Sequence, residues 1–256
     1  MNLRTILKKI KPIKYYFTGR IFYNDKRFLD VQDNVKIESE KRPFRSEIIN
    51  FLLSLKNEKT TYLEIGVRNP SHNFDHIKAD FKHSVDPGKE YKLNPVEFKM
   101  TSDEFFAKLD ANEILTNEIK FDVIFIDGLH YAEQVDRDIQ NSLKYIKNDG
   151  FIVLHDCNPP SEWHAIETYD YRVTPALNNW NGTTWKAFVK WRSNPEINSC
   201  CIDTDWGVGV LSKEQLIGDA VKPSNPFYEY LVFEKNKKEI LNLISFEEFK
   251  RRLLKK

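Results

Sequence analysis

Phe121–His130 reads FDVIFIDGLH and Gly150–Pro160 reads GFIVLHDCNPP. From Val123 in the first and Phe151 in the second, each is an unbroken apolar run that stops at an acid with a histidine close by: Asp127 and His130 in the first, His155 and Asp156 in the second. A Val/Ile/Phe/Leu run without polar alternation is the signature of a strand buried on both faces, the condition of a parallel sheet covered by helices. In open α/β sheets, ligands bind outside the carboxyl ends of such strands. Two polar clusters at two strand ends therefore mark a site rather than a surface.

The flanking sequence supplies the remaining elements. Ile48, Ile49, Leu52, Leu53 and Leu55 recur at helical spacing after Ser46 and predict a helix ending near Lys56–Lys59. Thr60–Gly66 (TTYLEIG) is a β-branched and aromatic strand closed by glycine. His83–Asp86 is a second strand, ending in an Asp-Pro-Gly turn, and Val96–Met100 a third. Ser102 has the character of an N-cap for a helix over Ser102–Leu109, with Asp103 and Glu104 at the positive end of its dipole. Between the two diagnostic runs, Val135, Ile139, Leu143 and Ile146 share one face of a helix over Tyr131–Lys147, stopped by Asn148-Asp149-Gly150. Strand, helix and strand make a βαβ unit. A helix over Thr184–Arg192, strands at Ser199–Asp203 and Gly207–Leu211, and a helix over Glu247–Leu254 follow. The expected organisation is a basic, aromatic N-terminal extension (1–45), a site-bearing domain (46–222) and a C-terminal helical extension (223–256).

Composition narrows the class. With 256 residues, 41% hydrophobic and 13% aromatic, the chain can bury a sizeable core, and general disorder is excluded. Lys and Arg number 39 against 38 Asp and Glu, a formal charge of +1 that lacks the basic excess of a nucleic-acid binder. Three cysteines, Cys157, Cys200 and Cys201, are too few for a disulfide scaffold and point to a reducing, cytoplasmic setting. No apolar run approaches the roughly 20 residues of a bilayer span. The opening MNLRTILKKIKPIKYYF lacks the apolar core of a signal peptide. Lys8, Lys9, Lys11, Lys14 and Arg20 alternate there with Tyr15, Tyr16, Phe17, Phe22 and Tyr23. That mixture fits an arm packed on the domain, or a peripheral contact with anionic lipid or a lipid-linked substrate.

Glu64 and Gly66 close the first strand. A single glycine is not the G-x-G-x-x-G of dinucleotide binders, which counts against a nicotinamide oxidoreductase. Asp86, about 20 residues after Gly66, stands where a carboxylate accepts from ribose hydroxyls, or is an ordinary turn residue.

Taken in order over residues 60–212, strand-EIG, VDPG, TSDEFF, FDVIFIDGLHYAEQVDRDI and GFIVLHDCNPP resemble the class I S-adenosylmethionine-dependent methyltransferases. The likeness is to the bacterial branch that includes sugar and macrolide O-methyltransferases. The resemblance implies an α/β, Rossmann-like three-layer sandwich, with a mostly parallel seven-stranded sheet and an antiparallel last strand. It implies that residues 46–222 bind S-adenosylmethionine. Glu64 and Gly66 would line its methionine end, Asp86 its ribose, Ser102 and Asp103 its adenine or ribose edge, with Asp127 beneath the sulfonium and substrate. Metal-dependent relatives hold a divalent ion on an acid after the fourth strand and an Asp-Asn pair after the fifth. Asp127 and Asp156 match the acids; Cys157 replaces the amide, leaving Asn158 or water to complete an oxygen-rich Mg²⁺ site.

The chemistry implied is O-methylation of a sugar, glycan or other small acceptor. Methyl transfer from a sulfonium is an in-line displacement, so positioning carries much of the acceleration. A hydroxyl acceptor also needs its proton removed, by a histidine or through a metal. His130 and His155 are the candidate bases. His130 is preferred because it follows the Gly128 turn, whereas His155 is still inside a strand run, so Asp127, His130 and Asp156 form the expected catalytic set. Trp163 or Trp180, with the amides of Asn178-Asn179-Trp180-Asn181-Gly182, either wall a sugar or pack as core and turn. Cys157 reads as a buried structural thiol. The rival from another class is a non-catalytic binding or scaffold protein of the same fold, which the unusual Gly66–Pro70 loop favours.

Overall fold

The structure, a computed structural model, describes residues 10–168 and 174–255. Lys8 and Lys9 of the basic arm lie outside the described residues. Seven strands, β1 (Thr61–Ile65), β2 (Phe81–Val85), β3 (Phe121–Ile126), β4 (Ile146–Leu154), β5 (Asn198–Ile202), β6 (Val208–Ser212) and β7 (Leu243–Ile244), form one sheet. Their order is β2-β1-β3-β4-β6-β5-β7. β6 is antiparallel to β4 and β5, and every other pairing is parallel. Eight helices are described: α1 (Lys11–Tyr23), α2 (Lys26–Glu40), α3 (Arg45–Ser54), α4 (Ser102–Asp110), α5 (Ala132–Tyr145), α6 (Thr184–Arg192), α7 (Tyr230–Ile240) and α8 (Phe246–Leu254). None is long and apolar enough to cross a membrane.

Every residue of β3 is buried. Because side chains alternate along a strand, a strand buried along its whole length feeds two cores at once; its one charged residue, Asp122, accepts from Thr61 N and Lys147 Nζ, both at 2.8 Å. Ile124, Ile126, Ile152 and Leu154 pack with Phe105, Phe106 and Leu109 of α4, Val135 and Ile139 of α5, Phe188 of α6 and Phe233 of α7. Val123, Phe125, Phe151 and Val153 pack with Ile48, Ile49, Leu52 and Leu53 of α3 and Phe249 of α8. The result is the expected three-layer, Rossmann-like sandwich.

The sheet reaches seven strands by a different membership from the one read off the sequence. Val96–Met100 contracts to one parallel bridge between Val85 and Phe98. Met100 N donates back to Phe98 O at 3.0 Å, which turns the chain away before a ladder forms. Leu243–Ile244, within the stretch expected to be helical, pairs with Cys201 and Ile202 at the opposite edge. The reversed strand expected at Gly207–Leu211 is β6, and the short β7 follows it in the chain. The cap of α4 is Thr101, whose hydroxyl accepts from Glu104 N at 3.2 Å, not Ser102. α5 ends at Tyr145, and Ile146 already pairs with Phe121, so Asn148-Asp149-Gly150 lies inside β4 rather than in a helix stop.

Candidate active site

Strand pairing sets the two diagnostic loops side by side. Asp127 N donates to Ile65 O at 2.9 Å and His155 N to Ile126 O at 3.2 Å, each extending a ladder by one step past its strand. Asp156 then takes a left-handed backbone, φ +61°, which Asp tolerates better than most residues and which ends the strand.

His130 closes the gap between the acids. Its Nε2 lies 3.4 Å from Asp127 Oδ1 and its Nδ1 3.3 Å from Asp156 Oδ2. The Trp180 carbonyl is 3.2 Å from the same Nδ1, and the indole stacks on the imidazole with centroids 5.3 Å apart. Trp180 Nε1 donates to Ile166 O at 2.7 Å, which fixes the indole in turn. Asn181 Nδ2 donates to Asp156 Oδ1 at 2.6 Å, while its Oδ1 is buried with no hydrogen-bond partner among the described residues. An amide therefore does reach Asp156, but from a distant loop instead of the neighbouring position.

His155 sits deeper. Its Nδ1 is 3.3 Å from Asp127 Oδ1 and 3.2 Å from Asp156 Oδ2. Its Nε2 lies 3.4 Å from Asp205 Oδ1 and 3.2 Å from Arg45 Nη1. Asp205 occupies the β5–β6 turn, where Asp205, Trp206 and Gly207 are all left-handed, at φ +45°, +64° and +87°. Such a run stores strain, of the kind that collects at functional sites. A Cβ on Gly207 would collide with Asn158 N, so only glycine closes this turn.

Asp205 also caps α3. It accepts from Arg45 N at 2.8 Å and pairs with Arg45 Nη1 at 3.1 Å, which satisfies an orphan amide at the helix start and places an acid at its positive end. Arg45 Nε is buried with no hydrogen bond among the described residues, 3.8 Å from Asp127 Oδ2.

The electrostatics follow from this crowding. Burial pushes the Asp127 carboxyl up, but His155, His130 and Arg45 outweigh it and hold it well below the usual carboxylate range. Asp205 is likewise held low by His155 and Arg45 against the effect of burial. Burial opposes charge on His130 and His155, yet Asp156 and Asp127 prevail and raise both, His155 strongly. The cluster is thus an anionic pocket whose charge the imidazoles balance.

Asp127, His130 and Asp156 bring one ligand atom each within 4.8 Å of one another. Two carboxylate oxygens and an imidazole nitrogen, beside the unpartnered Asn181 oxygen, fit a hard or borderline divalent cation. Cys157 takes no part: its Sγ turns to Leu154 O and His155 O, and burial pushes the thiol well up. Asn158 Nδ2 donates to Asp203 Oδ1 at 3.3 Å, and its Oδ1, like that of Asn181, is buried with no hydrogen-bond partner among the described residues.

The residues expected to hold a cofactor divide. Gly66, φ +87°, presses on the Asp127–Gly128 backbone, where a Cβ would collide with Asp127 O. Glu64 is buried, accepting from Tyr62 Oη at 2.6 Å and Asn73 Nδ2 at 2.8 Å; burial lifts its carboxyl to about 7. Asp86 follows β2 and accepts from Arg68 N at 2.8 Å and Gly88 N at 2.6 Å, so it holds the β1 and β2 loops together. Ser102 and Asp103 meet α5: Gln134 Nε2 donates to Ser102 Oγ at 3.1 Å, and Arg137 Nη2 pairs with Asp103 at 3.2 Å. Arg45 and Asp205 were not foreseen. Arg45 lies in a segment that reads as an extension, and the only sequence trace of Asp205 is the Asp-Trp-Gly turn signal.

No curated protein matches the chain. Among solved structures it is similar to an O-methyltransferase from Bacillus cereus in complex with SAH, at 13% identity over 72% of this chain and 90% of that one, TM-score 0.43. It is also similar to MycE methyltransferase of the mycinamycin pathway in complex with Mg, SAH and mycinamycin VI, at 13% over 78% and 57%, TM-score 0.42. A third is the O-methyltransferase TomG from Streptomyces achromogenes with SAM, at 10% over 83% and 99%, TM-score 0.41. Residues 68–157, which run from the loop after β1 to Cys157, match the family described as a methyltransferase domain.

Proposed function

We propose that this protein transfers a methyl group from S-adenosylmethionine to a hydroxyl of a sugar, glycan or other small acceptor, assisted by a divalent cation such as Mg²⁺. The observation that carries the reading is the convergence of Asp127, His130 and Asp156 beyond the carboxyl ends of two adjacent parallel strands, inside the span matched to methyltransferases. Glu64, Gly66, Asp86, Ser102, Asp103 and Asp127 are assigned to the cofactor, and Asp127 and Asp156 to the cation. When bound, the cofactor supplies an electrophilic methyl and the cation lowers the pKa of an acceptor hydroxyl.

The chain's own residues do the rest. His130 takes the acceptor's proton at an imidazole nitrogen, its ring held between Asp127, Asp156 and Trp180. The two acids that orient the ring also favour its charged form, so positive charge placed on them favours the neutral imidazole a base requires. Trp180 and Asn181 offer a flat face and an amide beside that nitrogen, the chemistry that suits a hydroxylated acceptor.

Calorimetric titration with S-adenosylmethionine and S-adenosylhomocysteine, with and without Mg²⁺, tests the cofactor on wild type and Asp86→Ala. Saturable binding of both ligands, weakened by the substitution, is expected; no binding in any condition puts the scaffold role first. In the acceptor screen that follows, His130→Ala is expected to lower turnover by about 10²–10⁴-fold with the fold retained. Near-normal turnover would remove His130 from the base role.

A further inference from the structure

We propose that α1 docks the protein on an anionic lipid surface, lying in the plane of the headgroups. The first observation is charge segregation. Residues 1–23 carry six basic residues, Arg4, Lys8, Lys9, Lys11, Lys14 and Arg20, and no acid. The rest of the chain is net acidic, 33 basic residues against 38 acidic. A near-neutral total thus conceals one strongly cationic end.

The second observation is that this end is apolar as well and is left uncovered. None of the residues of α1 is buried. At about 100° per residue, Ile10, Ile13, Phe17 and Ile21 fall on one stripe, at i, i+3, i+7 and i+11. Ile21 is 71% exposed, Ile10 49% and Phe17 43%. On the same wheel Lys14 and Arg20 flank the stripe on opposite sides. Phe22 and Tyr23 point elsewhere, their rings packing on Phe28 of α2 with centroids 5.0 Å apart. The helix is therefore anchored by one side and presents another.

An apolar stripe rimmed by long cationic side chains matches a headgroup boundary: the stripe enters the acyl edge while Lys and Arg reach back to phosphate. A soluble polyanion would need the charge but gains nothing from Phe17 and Ile21.

Flotation of the full chain with phosphatidylcholine vesicles, with or without phosphatidylglycerol, tests the proposal. The wild type is expected to float with the anionic vesicles only, less so at high salt. The triple variant Lys11→Glu/Lys14→Glu/Arg20→Glu should bind about tenfold less. Phe17→Ser/Ile21→Ser should also bind less with its charge intact, which separates insertion from simple polycation adhesion. Both variants leave the core untouched, so unchanged unfolding midpoints are expected. Absence of flotation, wild-type binding by either variant, or capture of the wild type by short RNA or polyglutamate but not vesicles overturns the proposal.

Discussion

At the scale of single residues, Glu64 gives a sign that can be worked out. Burial raises its carboxyl from 4.5 to about 7, despite the hydrogen bonds from Tyr62 and Asn73. The folded protein therefore holds this proton more tightly than the unfolded chain does. The resulting stabilisation is complete below pH 4.5 and is lost as pH climbs to about 7. Glu64→Gln removes the titration. Its stability relative to wild type should rise by about 2–3 kcal/mol between pH 5 and pH 8 in urea unfolding; a flat difference would show that the carboxyl titrates normally. The convergence of Asp127, His130 and Asp156 was legible in the sequence because Asp127 and Asp156 each lie just beyond a buried strand and His130 follows three residues after the first. His155 was legible as a candidate but not in its role, since its partners Arg45 and Asp205 come from opposite ends of the chain. Trp180 and Asn181 were visible only as members of a turn cluster. What turns them into site residues is a hydrogen bond to Asp156 and a stack on His130, neither of which leaves a mark in local spacing.

At the scale of elements, the β5–β6 turn supports more than its own hairpin. Asp205 supplies the acceptor that α3 lacks at its start, where Phe44 offers no capping side chain. Asp205→Ala uncaps the helix and strips Arg45 of its closest carboxylate, so a loss of about 3–5 kcal/mol is expected in thermal or denaturant unfolding. A loss under about 1 kcal/mol would mean that Arg45 finds Asp127 instead. Elements with strong periodicity, such as β3, α5 and α6, were readable within a few residues. Val96–Met100 has strand-like residues and no ladder, because α4 begins immediately after it and leaves no room for pairing. β7 escaped for the opposite reason: two residues carry no period at all, and only the exposed edge of β5 makes them a strand.

At the scale of the whole molecule, the C-terminal segment is a structural part of the sandwich. Residues 223–256 read as an extension, yet Phe233, Ile240 and Phe249 are buried in the two cores. Phe249→Ala should cost about 3–5 kcal/mol, as expected for an aromatic lost from a packed interior; a near-neutral result in denaturant unfolding would mean that α8 only rests on the sheet. The same closure governs how the charged cluster comes into being. Arg45 and Asp205 meet across 160 residues of sequence, and the acids between them depend on pairings made along the way. Such long-range closure is slow and comes late in folding. On the proposed reading, a ligand that needs the finished cluster, Arg45 and Asp205 included, would act as a reporter and lock of complete folding, stabilising only the chain in which those two residues have already met.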